Sequence, residues 1–550
     1  MAACPISARS AFLMAALCLL GARGSAAAQA ANVPGGLRIA GTVGSTTDGH
    51  PLAHARISLS DVKDPQKLQS MVTSEDGKFE FGGLPAGKYS LRGAKRGFIP
   101  AMYDQHDQFW TAIVTGAGVD TEDLLLRLSP VAVMTGKVLD EIGEPVRNAT
   151  VTLYYDDHSG GVDQIRQFRS AQTDDLGAYE ITPLLPGTYF LSALAKPWYA
   201  VHLNSEREGP SGATAAIDRS LDVTYPATYH AGVTEADSAT AIPVRGGERV
   251  EVDIHLNPVP ALHVIFHVPG VGKNAFPFLQ FQQPVFDGSM LIQSDDTRMV
   301  SPGVYEVTGI PAGRYSVRIG GTGQDLQMNG VDLSKDGAEV DTSSGEALCS
   351  IKLSVQVPGE ATIPPQLAVG LRLAKGLVTA WQPINPKGEA ELPQIAAGRY
   401  EVLVWGPAKP YSIARISAEG AAVSGHTLTV PAGSSASISL ALVGGAAEVR
   451  GKVTRAGEPF AGAMVVLVPK SPDMDRDLFR RDQSDLDGTF DLRGVIAGFY
   501  TILAIENGWE LDWLQPGVIA PYLKHGRAIE VGNRGGRPID LADPIEVQFK

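Results

Sequence analysis

The chain has 550 residues and a formal net charge of −14 at pH 7. A chain of this length is too long for one hydrophobic core, and its acidic balance argues against nucleic acid or an anionic membrane as a partner. Its 61 glycines and 37 prolines favour many short strands joined by turns and argue against long helices.

The first 30 residues have the pattern of a secretory signal peptide. Arg9 precedes the apolar run Ala11–Leu20, and Ala28-Gln29-Ala30 is a cleavage site of the A-x-A type. The run is too short to remain as a membrane-spanning helix, and no later segment has the necessary length and apolarity. After cleavage Cys349 is the one cysteine left, and we interpret it as a small buried apolar residue. We therefore expect an exported protein that is periplasmic, bound at the cell surface or extracellular.

A pattern of glycine, alternating apolar and acidic residues, and tyrosine occurs five times. Its clearest copy contains Gly177, Tyr179-Glu180-Ile181, Leu184, Gly187 and Tyr189. The step from the first glycine to the second is ten residues in every copy, and the copies begin at Gly77, Gly177, Gly303, Gly388 and Gly488. Alternation with a period of two predicts a strand whose apolar residues face a core. The acids between them are predicted to face solvent, and they are Glu80, Glu180, Glu306, Glu391 and Asp491.

The other parts of the pattern predict turns and a corner. The first glycine ends a hairpin turn that requires positive φ. The second glycine, as in Leu185-Pro186-Gly187, allows a sharp bend before the next strand. The tyrosine that follows predicts a tyrosine corner, in which the ring is buried and the hydroxyl holds nearby backbone. Each copy is thus the predicted centre of one β-sandwich, so the fold class is all-β, with about five immunoglobulin-like or prealbumin-like modules in tandem.

The predicted modules follow one another along the chain. After the signal peptide at 1–30, the boundaries are 37–129 for module 1, 130–257 for module 2, 258–356 for module 3, 357–443 for module 4 and 444–550 for module 5. Modules 3 and 4 keep only the later half of the pattern clearly. Whether they are complete sandwiches or degenerate copies stays open at this point.

Modules 1, 2 and 5 share an earlier motif as well. In module 2 it consists of Gly136-Lys137-Val138, Glu144-Pro145 and Ala149-Thr150-Val151-Thr152-Leu153, followed by the Thr173–Tyr179 and Leu185–Tyr189 segments. This combination resembles the carboxypeptidase regulatory-like domain family. The resemblance implies a transthyretin-like or prealbumin-like β-sandwich, similar also to the starch-binding-like fold. It further implies an accessory module of an exported bacterial protein, and not the peptidase.

Aromatic residues recur in the loops that leave the tyrosine-bearing strands, and five of the six tryptophans lie there. Exposed rings beside polar side chains suit stacking on sugar faces, and loops on a rigid sandwich often carry recognition. The candidate ligand-binding residues are Tyr103, Trp110, Trp198, Tyr199, Trp405, Tyr411, Trp509 and Trp513. The alternative is that these rings cap the sandwiches or fill the joints between modules.

No familiar catalytic or metal motif stands out. His263 and His267 lie on one face of a predicted strand, roughly 13 Å apart at about 3.3 Å per residue, which is too far to share a zinc ion. The Asp485–Gly488 segment lacks the ligands of an EF-hand loop, so a turn is predicted. Pro277 blocks the helix that Gly270–Ala275 would need as a dinucleotide-binding loop. Because the chain also lacks a His-x-x-Glu pair and a Gly-x-Ser-x-Gly elbow, we predict no catalytic residue, metal or cofactor.

Together these features favour a non-catalytic binding or scaffold protein of the cell envelope. Its expected partner is a polysaccharide, bound through the aromatic loops, or another envelope protein. A purely structural or adhesive stalk is the alternative, and an enzyme with an unrecognised site is a third hypothesis. Exposed tryptophans would favour ligand binding, whereas tryptophans buried between modules would favour a stalk. A cleft with converging titratable side chains would favour an enzyme.

Overall fold

The computed structural model describes residues 36–202, 219–269, 276–321, 325–360, 362–373, 378, 381–407, 409–433, 435–473, 475–532 and 537–549. The predicted signal peptide and the Gly270–Ala275 segment lie outside these residues. Strands dominate the described part of the chain, which contains one α-helix, α1 (Pro516–Leu523). Short 3₁₀ helices form at Arg219–Leu221, Ala236–Ser238, Thr342–Ser344, Arg476–Leu478 and Gly508–Glu510. The all-β prediction is confirmed.

Modules 1 and 2 are each built from two facing sheets. Module 1 contains β1 (Leu37–Ser45), β2 (Arg56–Asp61), β3 (Leu68–Val72), β4 (Lys78–Leu84), β5 (Gly87–Ala94), β6 (Phe98–Ile99), β7 (Ala101–Met102), β8 (Ile113–Thr115) and β9 (Leu124–Pro130). Module 2 contains β10 (Ala132–Leu139), β11 (Thr150–Asp157), β12 (Gln164–Gln172), β13 (Ala178–Leu184), β14 (Gly187–Leu194), β15 (Val223–Thr224), β16 (Thr228–Tyr229), β17 (Ile242–Val244), β18 (Arg249–Glu251), β19 (Ile254–His255) and β20 (Val259–Pro260). The sheet orders are β4-β1-β9-β6 and β3-β2-β5-β7 in module 1, and β13-β10-β18 and β12-β11-β14-β16 in module 2.

Modules 3 and 4 have the same two-sheet plan. Module 3 contains β21 (Leu262–His267), β22 (Phe278–Val285), β23 (Gly288–Ile292), β24 (Asp296–Ser301), β25 (Val304–Ile310), β26 (Gly313–Gly320), β27 (Leu326–Leu333), β28 (Glu339–Asp341) and β29 (Glu346–Ala347). Module 4 contains β30 (Cys349–Gln356), β31 (Ala368–Leu373), β32 (Gln382–Pro383), β33 (Glu389–Ile395), β34 (Gly398–Trp405), β35 (Tyr411–Glu419), β36 (Ala422–Ser424), β37 (Thr427–Val430) and β38 (Ala436–Gly444). The sheet orders are β24-β25-β21-β28 and β23-β22-β26-β27-β29, then β33-β30-β38-β35 and β32-β31-β34-β37-β36.

Module 5 differs in that its last strand links the two sheets. It contains β39 (Ala447–Arg455), β40 (Glu458–Pro459), β41 (Met464–Pro469), β42 (Arg480–Gln483), β43 (Thr489–Val495), β44 (Gly498–Ile505), β45 (Arg527–Val531), β46 (Ile539–Asp540) and β47 (Ile545–Gln548). Strand β47 pairs in parallel with β39 through Val453 and with β44 through Ala504, so the strands form one continuous sheet.

One strand arrangement is common to all five modules. The first strand of each module pairs antiparallel with the strand after the first glycine and parallel with a strand near the end of the module. These sets are β1 with β4 and β9, β10 with β13 and β18, β21 with β25 and β28, β30 with β33 and β38, and β39 with β43 and β46. Even the bulge near the start of the first strand recurs, for example between Leu262 and Val264. Modules 3 and 4 are therefore complete sandwiches.

The predicted tyrosine corner is present in every module. Each tyrosine ring is buried, and each hydroxyl donates a hydrogen bond to the carbonyl oxygen four residues earlier. The donor–acceptor distances are 3.0 Å for Tyr89 to Pro85, 2.8 Å for Tyr189 to Leu185, 2.6 Å for Tyr315 to Pro311, 2.9 Å for Tyr400 to Ala396 and 2.7 Å for Tyr500 to Ile496. Burial raises the pKa of Tyr400 and of Tyr500 to about 12, so both stay neutral donors.

The two glycines of the repeat serve different purposes. The first glycine has positive φ in all five copies, from 68° at Gly177 to 86° at Gly388, as the turn prediction required. The second glycine is needed mainly for space. A Cβ at Gly313 would lie 3.2 Å from the hydroxyl of Tyr315, and one at Gly187 would lie 2.5 Å from the ring of Tyr155. The chain also bends at the residue directly before the second glycine in every copy, as predicted, and the close packing against an aromatic ring is an additional reason for glycine there.

Each module encloses a core of its own. The five core clusters contain the inward-facing residues of both sheets, and Cys349 is buried in that of module 4, as predicted. Two further apolar clusters lie where modules meet. One contains Trp509 and Trp513, and the other surrounds Tyr229.

Two details of the sequence interpretation need correction. The predicted boundary after residue 356 falls at the end of β30, which pairs only with module 4 strands among those described, so module 4 begins at Cys349. Glu306 does not face solvent, because its side chain is only 4% exposed. Strand β15 of module 2 lies against β25, and Arg298 and His263 contact the carboxylate.

Candidate functional site

The aromatic loop residues divide into exposed and buried groups. Trp198 is 90% exposed, Trp405 52% and Trp110 39%. Tyr103 and Tyr199 are half-buried. Tyr411, Trp509 and Trp513 are buried, which removes them from the surface that a soluble ligand can reach. Ligand binding by the exposed members stays a prediction.

The buried members of this set in module 5 lie in a joint with module 1. Trp509 stacks on His106 with a centroid separation of 5.1 Å and an interplanar angle of 8°, and it also contacts Phe109 at 5.5 Å. Its indole Nε1 donates a hydrogen bond to the carbonyl oxygen of Gly462 at 3.2 Å. The Trp509 ring is therefore enclosed on both faces and satisfied at its polar edge.

Arg481 extends this joint to module 2. Its guanidinium carbon lies 4.2 Å from the ring centroid of Trp513, within the range of a cation–π interaction. The same side chain donates a hydrogen bond to the carbonyl oxygen of Ser159 at 3.1 Å and approaches Asp107 at 3.6 Å. Burial lowers the pKa of Arg481, which nevertheless remains a cation at neutral pH. We call Trp509, Trp513, Arg481, His106 and Phe109 the aromatic joint.

A hairpin turn of module 5 also inserts against module 1. The amide of Leu486 donates to the carbonyl oxygen of Ala112 at 2.9 Å, and the amide of Ala112 donates to the Asp485 carboxylate at 3.0 Å. Lys88 forms an ion pair with Asp485. Burial raises the pKa of Asp485 despite this pair. The Asp485–Gly488 segment is thus the predicted turn, and its side chains hold two modules together.

Modules 2 and 3 meet through ionisable groups. His202, 7% exposed at its side chain, lies between two carboxylates, with Nδ1 2.9 Å from Asp222 and Nε2 2.6 Å from Asp295. The other oxygen of Asp222 lies 2.7 Å from His263 Nε2. Lys196 pairs with Asp295, while His263 and Arg298 both contact Glu306. We call this row the charged ladder, and it consists of Lys196, His202, Asp222, His263, Asp295, Arg298 and Glu306.

An imidazole with a carboxylate at each nitrogen donates from both only when it is protonated. The hydrogen bond to Asp295 and that to Asp222 raise the pKa of His202.

Beside the ladder, Phe286 of module 3 packs on Tyr154, Phe190 and Tyr229 of module 2, at centroid separations of 5.0, 4.9 and 6.0 Å. Sequence analysis named His263 but not its partners, because Asp222 lies 41 residues away in the chain.

The remaining joints are smaller. Modules 3 and 4 are connected by a hydrogen bond from the amide of Gly433 to the carbonyl oxygen of Ala347, at 2.8 Å. Modules 4 and 5 are connected by Asp477, which accepts from Ser412 and lies 3.6 Å from His426. Every module therefore contacts the next one in the chain, and module 5 also returns to modules 1 and 2.

A cavity of about 960 Å³ lies where modules 2, 3, 4 and 5 meet. Four arginines line it, namely Arg314, Arg372, Arg399 and Arg476. Acidic residues line it as well, among them Asp163, Glu235, Asp237 and Asp287. Arg372 is paired with Glu401 at 2.6 Å. The cavity is polar and open to solvent, and its wall carries charges of both signs.

Next to the cavity, which Asp163 lines, lies a group of side chains that the sequence motifs did not indicate. Asp156, His158 and Asp163 each bring a ligand-type atom within 4.8 Å of the others. Burial, and then the neighbouring Asp163 carboxylate, raise the pKa of Asp156 to about 6. The Asp-x-His spacing with a third acid five residues later was the available signal, but it is short and common.

Comparison with known families identifies the first module. Residues 38–120 match the family described as the carboxypeptidase regulatory-like domain. Most of module 1 is thus similar to the carboxypeptidase regulatory-like domain. The resemblance seen in its sequence motifs is thereby confirmed. Since the other four modules repeat the strand pairing of this carboxypeptidase regulatory-like domain, the chain is a tandem β-sandwich repeat protein.

Solved structures that resemble the chain include bacterial proteins of low sequence identity, among them two pilins. The TIE protein of Bacillus anthracis is 11% identical, with a TM-score of 0.18, over 76% of this chain and 75% of that one. A minor pilin of Streptococcus agalactiae is 16% identical, with a TM-score of 0.21, over 40% of this chain and 96% of that one. The shaft pilin of Lactobacillus rhamnosus GG is 10% identical, with a TM-score of 0.18, over 41% of this chain and 98% of that one. At these TM-scores no functional argument rests on the likeness.

No curated protein matches the chain. Among the described residues, no helix has both the length and the apolarity needed to cross a membrane. The carboxypeptidase regulatory-like domain of module 1 supplies His106 and Phe109 to the aromatic joint, so it is structurally tied to module 5.

Proposed function

We propose that the protein is a non-catalytic, exported scaffold of the cell envelope whose modules are locked into one body. The observation that carries this proposal is the aromatic joint, through which module 5 returns to modules 1 and 2. Tryptophans buried between modules are what a structural role predicts. We therefore prefer the structural role, which the sequence left as the alternative to ligand binding. It differs from a simple stalk in that the chain folds back on itself.

Two physical features support a load-bearing role. Trp509 and Trp513 are 7% and 9% exposed, and burying such large rings supplies much of the energy of an interface. Arg481 contacts three modules at once. The match of module 1 to an accessory domain supports the non-catalytic part of the proposal.

Export rests on the pattern of residues 1–30 and is tested by mass spectrometry of the mature N-terminus, which we expect at residue 31.

Small-angle X-ray scattering of the purified chain tests the locked arrangement. We expect the scattering curve of the wild type to match the one calculated from the folded-back arrangement of modules. Trp509→Ala combined with Trp513→Ala should release module 5 and increase the radius of gyration. The matched control is Trp198→Ala, which removes an exposed indole. A wild-type curve that fits an extended string of five modules would contradict the proposal.

A second candidate function is glycan recognition at Trp198. Trp198 is 90% exposed and meets Tyr199 edge to face at 5.9 Å. Tyr199 is itself held by a hydrogen bond to Glu141. An open indole beside a fixed tyrosine and an acid is an arrangement that suits a sugar ring.

Fluorescence titration with a panel of soluble polysaccharides tests this candidate. We expect a saturable spectral shift with one glycan that is lost in Trp198→Ala. Trp381→Ala is the matched control, because Trp381 is 43% exposed and lies outside the aromatic loops. An unchanged shift in Trp198→Ala would assign binding elsewhere.

A further inference from the structure

We propose that Asp156, His158 and Asp163 bind one divalent transition-metal cation of the zinc or manganese class at the joint of modules 2 and 5. The site is separate from the scaffold function, which does not require a metal. It lies at the edge of the cavity, since Gly160, Val162 and Asp163 line that cavity.

The ligand atoms converge on one point. Nε2 of His158 lies 3.6 Å from Oδ1 of Asp156 and 4.0 Å from Oδ1 of Asp163. Metal–ligand bonds of about 2.0–2.2 Å place neighbouring ligand atoms roughly 3–3.5 Å apart around one ion. The His158 imidazole therefore needs to approach each carboxylate oxygen by roughly 0.1–1 Å to coordinate the ion together with it. Side-chain rotations of exposed residues suffice, because His158 and Asp163 are 44% and 52% exposed.

The second nitrogen of His158 fixes the orientation of the first. Nδ1 lies 3.3 Å from Oδ1 of Asp512 in module 5. A carboxylate only accepts, so Nδ1 donates to Asp512 and Nε2 is the atom left to face the carboxylates of Asp156 and Asp163. Without a metal a protonated ring donates from Nε2 towards these carboxylates, and a bound metal ion would take the place of that proton. A histidine that ligates a metal commonly donates its other nitrogen to a carboxylate in this way.

Asp156 supplies an independent observation. Its Oδ1, the atom that faces His158, is sealed from solvent and accepts no hydrogen bond from any described residue. The Asp156 side chain as a whole is 27% exposed, so this one oxygen, and not the whole carboxylate, would gain a partner when a cation binds.

The cationic side chains of this region are already engaged. Arg166 pairs with Asp157, and Arg481 contacts Asp107 and the carbonyl oxygen of Ser159. Within the described residues, the ion-pair partner of both Asp156 and Asp163 is His158. One imidazole with two carboxylates suits zinc or manganese, whereas calcium prefers an all-oxygen shell of higher coordination number.

The bound cation would connect two modules through Asp512. The loop that carries His158 also packs on module 5, because the amide of Leu514 donates to the carbonyl oxygen of Gly161 at 2.9 Å. Gly161 lies against the indole of Trp513, close enough that a Cβ would come within 2.5 Å of the ring. Metal binding should therefore alter the fluorescence of Trp513.

Isothermal titration calorimetry of the metal-free full chain with zinc chloride tests the proposal. We expect one strong equivalent, with affinity reduced at least tenfold in His158→Ala and in Asp163→Asn. Asp512→Asn, which removes a positioning residue, should reduce affinity about tenfold. His50→Ala is the matched control, since His50 also contacts an acid, Asp48, but lies in module 1. Its affinity should equal that of the wild type.

Fluorescence provides a second readout that does not depend on heat. The zinc-induced change should disappear in Trp513→Phe while calorimetric binding remains. Circular dichroism confirms that each variant is folded. Absence of zinc and manganese binding at 100 µM metal, or equal affinity in wild type and His158→Ala, overturns the site. Small-angle scattering in EDTA separates the two proposals, because the scaffold should stay compact without metal.

Discussion

The aromatic joint and the charged ladder connect modules by opposite means. In the aromatic joint, Trp509 and Trp513 are enclosed by rings, aliphatic groups and one guanidinium that cannot lose its charge. In the charged ladder, His202 is held by Asp222 and Asp295, and its contribution depends on its proton. The same chain therefore contains one contact that rests mainly on the burial of aromatic rings and one that rests on a proton.

This difference has a physical origin. Burial of apolar area is non-directional and insensitive to protonation, so the aromatic joint should persist across the physiological range. A histidine titrates within that range, and its neighbours decide in which direction. Because the pKa of His202 is raised in the folded protein, its stabilising contribution is complete below its ordinary pKa of about 6.5. The contribution is lost as the pH rises through the higher folded value.

The largest effect is expected from Trp509→Ala. Deleting a buried indole leaves a cavity in the aromatic joint, and a loss of about 3–5 kcal/mol is typical for such a change. The measurement is hydrogen–deuterium exchange of β41 and β44 followed by mass spectrometry, which should show faster exchange in the variant. The effect should be large at both pH 6 and pH 8. An effect confined to one of the two pH values would show that the His106 contact, and not the burial of the indole, holds this joint.

His202→Gln should have a smaller effect that depends on pH. At pH 6 the variant leaves two carboxylates facing each other without the imidazolium, at a cost of about 2 kcal/mol. As the pH rises through the raised pKa of His202 and the wild-type imidazole loses its proton, the difference between variant and wild type should shrink. The measurement is denaturant-induced unfolding at several pH values, monitored with a probe that reports on the joint between modules 2 and 3. His255→Gln, at an exposed position of module 2, is the control.

Lys88→Met is expected to weaken the contact between modules 1 and 5 by about 1 kcal/mol. Lys88 pairs with Asp485 and donates to Thr489 at 2.9 Å. Removing the cation leaves Asp485 buried without an ion-pair partner, so its pKa should rise further. Exchange of the Leu486 amide, which donates to Ala112, reports the change. Unaltered exchange would show that the backbone hydrogen bonds alone hold this turn.

Trp198→Ala should change stability least, within about 0.5 kcal/mol, because the ring is almost fully exposed. Thermal unfolding measures this. A loss as large as that of Trp509→Ala would mean that Trp198 is buried in a contact formed in solution, for example with a second molecule.

Local features of the fold were predictable because their causes are local. Tyr315 bonds to a carbonyl four residues earlier, and Gly303 provides a positive φ within a single turn, so a fixed spacing in sequence identifies both. Cys349 was also placed correctly in a core. The parallel pairing of first and last strands in modules 3 and 4 was not predictable, since their early motifs have diverged.

The candidate sites depend on contacts between distant residues, which spacing does not show. His106 and Trp509 stack although they lie in different modules, and the prediction of aromatic loops left open whether such rings bind a ligand or fill a joint. Alternation placed Glu306 on an outer strand face correctly. It could not show that module 2 covers that face. Nor could it show that Asp222 of module 2 contacts His263.

The parallel pairing within each module has a mechanical consequence. In module 4 the entering strand β30 and the departing strand β38 run side by side over six residue pairs, from Ile351 with Ala436 to Gln356 with Ala441. The chain therefore enters at one end of the sandwich and leaves at the other. Tension on the two ends slides these strands past each other and loads their evenly spaced hydrogen bonds simultaneously, whereas an antiparallel hairpin pulled at its open end would unzip one bond at a time. Each module is thus built to resist stretching along the chain.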